Sequence, residues 1–295
     1  MNNKKLGLGT KNLRDPKILA ELIKNAQSAG YDFIDSAWRY GNEAAIGLAI
    51  KEIELKYKRF SLKMELQSKI WPNQYRGGIN KSLKNSLQKL GDIQEIDSYL
   101  LHRPHCDTKM TINAWKQLVD CKRIRNVKSI GVSNFDKDLI LKLEEITRYL
   151  PETNRIELSV NNMRWDRINF CKAKNIKIQA YAPLGDLTAN LKDKRIIAIA
   201  KKYQATIPQI LLAYLMHFDI EPIICARTKS EIDEYVKAKN IVLDDQDIEE
   251  LKKVNTYHNL YSETEDIDLD EINREENNAF NKIKENNYQL IKDSK

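Results

Sequence analysis

The chain has 295 residues, of which 42% are hydrophobic, 49 are basic and 42 are acidic. This apolar content is sufficient for a large buried core, which excludes an intrinsically disordered protein. The formal charge of +7 is modest for the length, and lysines are interleaved with acidic residues along the chain. A nucleic-acid-binding protein would concentrate its basic residues in one stripe. We therefore expect a globular protein without a nucleic-acid partner.

The cysteines and the N-terminal segment indicate a protein of a reducing compartment. Cys106, Cys121, Cys171 and Cys225 form no C-x-x-C pair and lack the close Cys/His spacing of a zinc site. Free thiols are typical of intracellular proteins. The first residues lack the apolar stretch of a signal peptide, and no run of roughly eighteen apolar residues occurs. We expect a cytoplasmic protein that does not span a membrane.

Short apolar runs alternate along the chain with longer segments of helical periodicity, which is typical of βαβ units and a parallel sheet. We predict strands at residues 6–9, 31–36, within 59–69, and at 96–101, 127–132, 154–160, 176–183 and 221–226. We predict helices after Asp15-Pro16 and at residues 42–56, 76–90, 111–124, 136–149, 164–174, 192–204, 207–217 and 230–239. About eight βα units predict a closed (β/α)8 barrel.

The composition changes beyond residue 255. We predict one barrel domain over residues 1–255 and a charged C-terminal extension over residues 256–295. Residues 262–270 are strongly acidic, and residues 271–292 carry a narrow apolar stripe among polar residues. That stripe predicts at least one helix in the extension.

Four ionisable side chains lie where three predicted strands end. Asp35, Lys69 and His102 each stand at a strand end, and Tyr40 is in the loop after Asp35. The carboxyl ends of barrel strands converge on one active-site face. Taken singly, these residues are as consistent with a salt bridge, a half-buried histidine or a packed tyrosine. Together at one barrel edge they favour a catalytic site.

Their chemical types suit carbonyl reduction, which needs a hydride donor, a proton donor and groups that stabilise the developing alkoxide. Tyr40 is the candidate proton donor, and a nearby Lys69 ammonium would lower its pKa. Asp35 would hold Lys69 in place, and His102 would orient the substrate oxygen.

Five segments resemble motifs of one enzyme family. They are residues 30–50 (GYDFIDSAWRYGNEAAIGLAI), 67–71 (QSKIW), 96–104 (IDSYLLHRP), 129–135 (SIGVSNF) and 178–185 (IQAYAPLG). These motifs are similar to those of the aldo-keto reductase superfamily, and the resemblance extends from residue 6 to about residue 254. It implies a (β/α)8 barrel that binds NADP(H) over its C-terminal face and needs no metal.

The resemblance also implies roles for individual residues. It implies a catalytic tetrad of Asp35, Tyr40, Lys69 and His102, in which Tyr40 is the general acid. It implies that the nicotinamide contacts come from Ser133, Asn134 and Tyr181, of which the tyrosine stacks on the ring.

Two aromatic residues follow the second and third strands, at positions from which they could line the substrate cleft. They are Trp38 and Trp71. Packing at the top of the barrel is an equally good interpretation, because aromatic side chains serve both purposes.

Two positions depart from the family pattern. The glutamine that contacts the nicotinamide is replaced by Arg155, which is charged and can only donate hydrogen bonds. Residues that bind the 2′-phosphate of NADP(H) are replaced by Ala226 and Glu231, but Arg227 and Lys229 lie in the same loop. We count these two cations and Arg155 as candidate cofactor-binding residues. They predict NADPH as the cofactor and leave NADH possible.

The leading prediction is NADP(H)-dependent reduction of an aldehyde or ketone on a small molecule. One alternative is a catalytically silent, cofactor-binding regulatory subunit on the same barrel. Another is a dehydrogenase that works mainly toward alcohol oxidation. The sequence defines neither the substrate nor the oligomeric state, because loops set specificity and their sequences transfer least between relatives.

Overall fold

A computed structural model describes residues 4–58 and 60–261, and its centre is a closed barrel of eight parallel strands. The strands are β1 (Gly7–Gly9), β2 (Phe33–Asp35), β3 (Glu65–Ile70), β4 (Ile96–Leu101), β5 (Val127–Ser133), β6 (Thr153–Glu157), β7 (Lys177–Tyr181) and β8 (Ile220–Ile224). Each strand pairs with the next in chain order, and β1 closes the barrel against β8. The predicted (β/α)8 architecture is confirmed.

Helices follow the strands and cover the outside of the barrel. They are α1 (Pro16–Ala29), α2 (Glu43–Lys56), α3 (Ile79–Lys89), α4 (Thr108–Arg123), α5 (Lys137–Thr147), α6 (Trp165–Ala173), α7 (Leu187–Asn190), α8 (Lys194–Lys202), α9 (Ile207–His217), α10 (Lys229–Tyr235) and α11 (Asp245–Lys252). The predicted start of α1 is confirmed, because the Asp15 carboxylate accepts the Lys17 amide at 2.8 Å and Pro16 occupies the first turn.

The last predicted helix, at residues 230–239, is shorter in the structure. Helix α10 ends at Tyr235 and the chain continues as a 3-10 turn over Val236–Asn240. Helix α11, which the sequence analysis did not predict, begins after an Asp244 cap whose carboxylate accepts the Asp247 amide at 2.9 Å. Its buried residues are only Asp247, Ile248 and Leu251, so its apolar stripe is narrow and easily overlooked in the sequence.

The interior of the barrel contains a chain of polar side chains below the C-terminal face. The Gln67 amide donates to Asp35 Oδ1 at 2.7 Å and to Gln179 Oε1 at 2.8 Å. Gln179 in turn donates to Glu221 at 3.1 Å. Each of these groups finds a partner, which offsets the cost of removing it from water. This layer supports the residues that stand above it.

The chain returns to the barrel mouth after α11. The amides of Leu260 and Tyr261 donate to the Glu157 carboxylate at 2.6 and 3.1 Å, which holds this segment beside β6. The predicted helix within residues 271–292 lies outside the described residues. In the part of the chain that the structure describes, no helix is long and apolar enough to cross a membrane.

Candidate active site

A cleft of about 560 Å³ opens at the C-terminal ends of the strands. Three members of the predicted tetrad, Asp35, Tyr40 and His102, line it. The fourth, Lys69, is fully buried directly behind them. The barrel therefore brings all four residues together, although they span 68 positions of the chain from Asp35 to His102. Asp35 and Lys69 lie on β2 and β3, Tyr40 lies in the turn after β2, and His102 directly follows β4.

The backbone fixes the position of Tyr40. After β2 the chain makes a 3-10 turn over Trp38–Tyr40, which Gly41 closes with a φ of 61° that suits glycine. The Asn42 amide then donates to the carbonyl of Thr10 at 2.8 Å, and its oxygen accepts the Ser36 hydroxyl at 2.7 Å. The Asn42 side chain makes no capping bond to α2 and instead ties this corner to the loop after β1.

Asp35 and Lys69 form a buried ion pair, as predicted. Lys69 Nζ donates to Asp35 Oδ1 at 2.5 Å and to the Ser36 carbonyl at 2.5 Å. Burial alone would raise the pKa of Asp35, but Lys69 and Arg155 outweigh it and hold that pKa below its usual value. Burial lowers the pKa of Lys69 to about 7; Asp35 opposes this shift and the second cation, Arg155, adds to it. The pKa values of Asp35 and Lys69 are both lowered, because the single carboxylate faces two cations and each buried cation faces the other.

Arg155 on β6 is the unexpected member of this cluster. Its Nη2 donates to the Tyr40 hydroxyl at 3.2 Å and to Asp35 Oδ2 at 3.3 Å. Its guanidinium carbon lies 4.6 Å from the centre of the Tyr181 ring. The sequence assigned this residue to the cofactor, whereas the structure places it against the predicted general acid. A nicotinamide stacked on Tyr181 must use the other face of that ring or displace Arg155.

His102 faces Tyr40 across the cleft. The two rings meet edge to face with their centroids 5.9 Å apart, and His102 makes a similar contact with Trp71 at 4.9 Å. Burial lowers the pKa of His102 well below its usual value, and the charges of Lys69 and Arg155 lower it further. The imidazole is therefore neutral at pH 7 and has one N–H to donate.

Two of the three predicted nicotinamide residues, Asn134 and Tyr181, line the same cleft, and the third, Ser133, does not. The Tyr181 hydroxyl donates to Asn134 Oδ1 at 2.9 Å, and both residues line the cleft. Asn134 also donates to the carbonyl of His102 at 3.2 Å, which joins this pair to the tetrad. Ser133 is fully buried, with its hydroxyl accepting from the Asn134 amide at 3.2 Å. An aromatic ring and an amide side by side fit a nicotinamide and its carboxamide.

The two predicted substrate-cleft tryptophans have different positions. Trp71 lines the cleft, and the guanidinium of Arg39 lies 4.4 Å from its ring centre. Trp38 is 4% exposed and is not among the cleft residues, so the structure does not place it near a substrate. The 3-10 turn rotates successive side chains by about 120°, which directs Arg39 and Tyr40 toward the cleft and Trp38 into the protein.

At the expected adenosine end, the N-terminus of α10 already holds a carboxylate. Glu231 accepts the amides of Arg227 at 2.6 Å and Thr228 at 3.2 Å in a capping box. These two amides are therefore not free to bind a phosphate. The Lys229 ammonium pairs with Asp233 one turn along the helix. Arg227 and Lys229 are exposed and lie outside the main cleft.

The sequence profile of the aldo/keto reductase family matches residues 5–256. The chain belongs to the aldo/keto reductase family. Its relatives include an aldose reductase of Encephalitozoon cuniculi, 32% identical over 275 residues that cover 86% of this chain and 90% of that protein. They also include a methylglyoxal reductase of Escherichia coli O157:H7, 33% identical over 82% of this chain and 89% of that protein.

Solved structures of aldo-keto reductases share the fold. The Bombyx mori enzyme in complex with NADP superposes with a TM-score of 0.80 and 26% identity, covering 87% of this chain and 91% of that one. An aldo-keto reductase from a deep-sea metagenome library gives 0.79 and 29%, covering 89% and 95%. Membership in this family supports carbonyl reduction with a nicotinamide cofactor as the general chemistry of the chain.

Several cleft residues of this aldo-keto reductase escaped the sequence analysis. They are Lys11, Arg14, Arg39, Arg103, Cys225, Leu260 and Tyr261. Arg103 directly follows His102 in the motif of residues 96–104, so its position after β4 could have identified it as a cleft residue. Leu260 and Tyr261 gave no signal, because only the return of the chain to Glu157 brings them to the cleft. In residues 4–58 and 60–261, no cluster of three or more His, Cys, Asp and Glu side chains could hold a metal ion.

Proposed function

We propose that this protein reduces an aldehyde or ketone on a small molecule with NADPH, and that Tyr40 supplies the proton. One observation carries the proposal: the Tyr40 hydroxyl and the neutral His102 ring share one cleft, 5.9 Å apart between ring centroids, with the buried Asp35–Lys69 pair behind them. A carbonyl oxygen placed between Tyr40 and His102 would meet an acid and a hydrogen-bond donor at once.

The residues of the site divide the work. A bound reduced nicotinamide supplies the hydride. His102 donates its N–H to the substrate oxygen and so orients the carbonyl group. Because its imidazole is neutral, it does not compete with Tyr40 as the proton donor. Tyr40 transfers its proton to the oxygen as negative charge develops there. Trp71 forms an apolar wall that helps to exclude water from the reacting group.

Asn134 and Tyr181 are the residues that would hold the nicotinamide. Their hydrogen bond at 2.9 Å keeps an amide and an aromatic face together at the cleft edge. An amide can both donate to and accept from the carboxamide of the cofactor, and the ring provides a stacking surface. Fixing the nicotinamide in this way would determine which face delivers the hydride.

The preference for NADPH rests on Arg227 and Lys229. The 2′-phosphate of NADPH carries nearly two negative charges and requires cations at the adenosine end. Glu231 opposes this preference, because its carboxylate occupies the amides of Arg227 and Thr228. We propose that the exposed Arg227 guanidinium provides the net preference.

The test is a comparison of the unmodified protein with Tyr40→Phe on a panel of simple aldehydes and ketones. The substitution retains the ring and removes the hydroxyl, so kcat should fall by roughly 10²–10⁴-fold. Cofactor affinity, measured separately by fluorescence quenching, should change little. Near-normal turnover by the phenylalanine variant would exclude Tyr40 as the acid. Tight cofactor binding without oxidation by any carbonyl on the panel would instead support the silent regulatory subunit.

A further inference from the structure

Arg155 contacts the Tyr40 hydroxyl in this structure. Its side chain is 7% exposed, and its Nη2 lies 3.2 Å from Tyr40 Oη and 3.3 Å from Asp35 Oδ2. The Tyr181 ring packs against the guanidinium with 4.6 Å between ring centroid and carbon. Arg155 is held by one ion pair, one hydroxyl and one ring, so its orientation toward Tyr40 is well defined.

Lys69 is engaged elsewhere. Its ammonium donates to Asp35 and to the Ser36 carbonyl, both at 2.5 Å, and its Nζ lies 5.0 Å from the centre of the Tyr40 ring. Two of its three protons are therefore committed to β2 and the residue that follows it. The lysine therefore pairs with Asp35 and lies over the Tyr40 ring.

We propose that Arg155 is a catalytic residue that donates to the Tyr40 hydroxyl and stabilises the phenolate left when Tyr40 gives up its proton. This inference rests on the proposed function. It assigns to a residue of β6 the role that the sequence analysis gave to Lys69. It also explains how a charged, buried side chain is tolerated at a position where the family pattern has a neutral glutamine.

The proton and electron balance of the step is simple. With a bound reduced nicotinamide as the source, the carbonyl carbon would gain a hydride with its electron pair, while the π pair of the C=O bond would move to oxygen. The Tyr40 O–H bond breaks, its proton bonds to that oxygen, and the O–H electron pair stays on Tyr40. The new anion forms 3.2 Å from a guanidinium, and the phenolate later regains a proton from solvent.

The electrostatics around Tyr40 agree with this role. Burial raises the pKa of Tyr40 far above its usual value, Arg155 opposes that rise, and Asp35, Cys225 and Tyr181 add to it. Lys69 on β3 and His102 on β4 complete the surroundings of the ring. An arginine remains charged at every working pH. It can therefore support the phenolate at a pH where Lys69, whose pKa falls to about 7, has lost part of its charge.

The experiment uses Arg155→Ala, Arg155→Gln and Arg155→Lys in the full chain. We expect kcat of the alanine and glutamine variants to fall by about 10²-fold, as when one donor to a developing anion is removed. The Arg155→Lys variant should retain a higher kcat than the other two. Added guanidinium salt should recover at least a tenth of the kcat that Arg155→Ala loses. Arg167→Gln is the matched control, because Arg167 is also buried but lies on α6, away from the cleft. It should keep its turnover.

The decisive measurement combines Arg155→Ala with Tyr40→Phe. If Arg155 acts through the tyrosine, the double variant should be no slower than Tyr40→Phe alone. Multiplicative losses would overturn the proposal, as would an Arg155→Gln variant with weakened cofactor binding and unchanged kcat, which would make the residue a cofactor contact only.

A second readout separates this proposal from the proposed function. In the cofactor-free protein labelled with carbon-13 at tyrosine Cζ, the Tyr40 signal, assigned with Tyr40→Phe, should move in Arg155→Gln and not in Arg167→Gln. An unmoved signal would overturn the contact, whatever the protein reduces. Failure of the unmodified protein to reduce any carbonyl would refute the proposed function while this shift still reports on the Arg155–Tyr40 contact.

Discussion

The Asp35–Lys69 pair allows a prediction about stability that depends on the third member of the cluster. The two side chains are 1% and 0% exposed, and breaking such a pair by removing one partner costs about 3–5 kcal/mol. In Lys69→Met, Asp35 still has Arg155 at 3.3 Å and Gln67 at 2.7 Å. The free energy of unfolding should therefore fall by an amount near the lower limit, about 3 kcal/mol.

Asp35→Asn should be more damaging, although it also removes a single charge. It leaves Lys69 and Arg155 buried with no carboxylate between them, and the free energy of unfolding should fall by about 5 kcal/mol. The double variant retains one cation and one amide. It should therefore lose less than the sum of the single variants, with a coupling of roughly 2–3 kcal/mol.

The assay is urea unfolding at pH 7, checked by thermal melts in which Lys69→Met should lower Tm by about 6–12 °C. Lys128→Met is the control, since it breaks an exposed pair with Asp97 and should cost less than about 1 kcal/mol. A larger loss in Lys69→Met than in Asp35→Asn would refute the three-member cluster. Losses that add within about 0.5 kcal/mol would show that the two residues do not interact.

Two further predictions concern the cofactor and pH. Arg227→Ala should weaken NADPH binding by about tenfold and leave NADH binding nearly unchanged. Glu231→Gln, which keeps the capping amides bonded, should strengthen NADPH binding. Equal dissociation constants for NADPH and NADH in the unmodified protein would contradict the preference for NADPH. His102 has a pKa well below its usual 6.5 because it is buried, so the unfolded chain binds the proton more readily. Its contribution to stability is complete above pH 6.5 and is lost as the pH falls, by up to about 1.4 kcal/mol per pH unit. The free energy of unfolding of His102→Gln should therefore decline less between pH 6.5 and 5 than that of the unmodified protein, while the exposed His258→Gln should follow the unmodified protein. Parallel declines for all three proteins would show that His102 titrates normally.

The barrel could be predicted from the sequence because its signals are local. Strand β4 was predicted with the bounds that the structure has, and so was α9, since apolar runs and helical periodicity depend on consecutive residues. The meeting of Asp35, Tyr40, Lys69 and His102 followed from one rule of the fold, that the carboxyl ends of parallel barrel strands share a face. These features needed no knowledge of side-chain conformations.

The partners of individual side chains depended on tertiary structure. Arg155 and Tyr40 are 115 positions apart, and their contact requires the register of β6 in the closed barrel and the turn that Gly41 completes. Likewise, only the geometry of the α10 cap shows that Glu231 holds the amides offered to a phosphate. A sequence specifies which charges are present, but the three-dimensional packing decides which of them meet, because a change of a few ångströms is enough to exchange one hydrogen-bond partner for another.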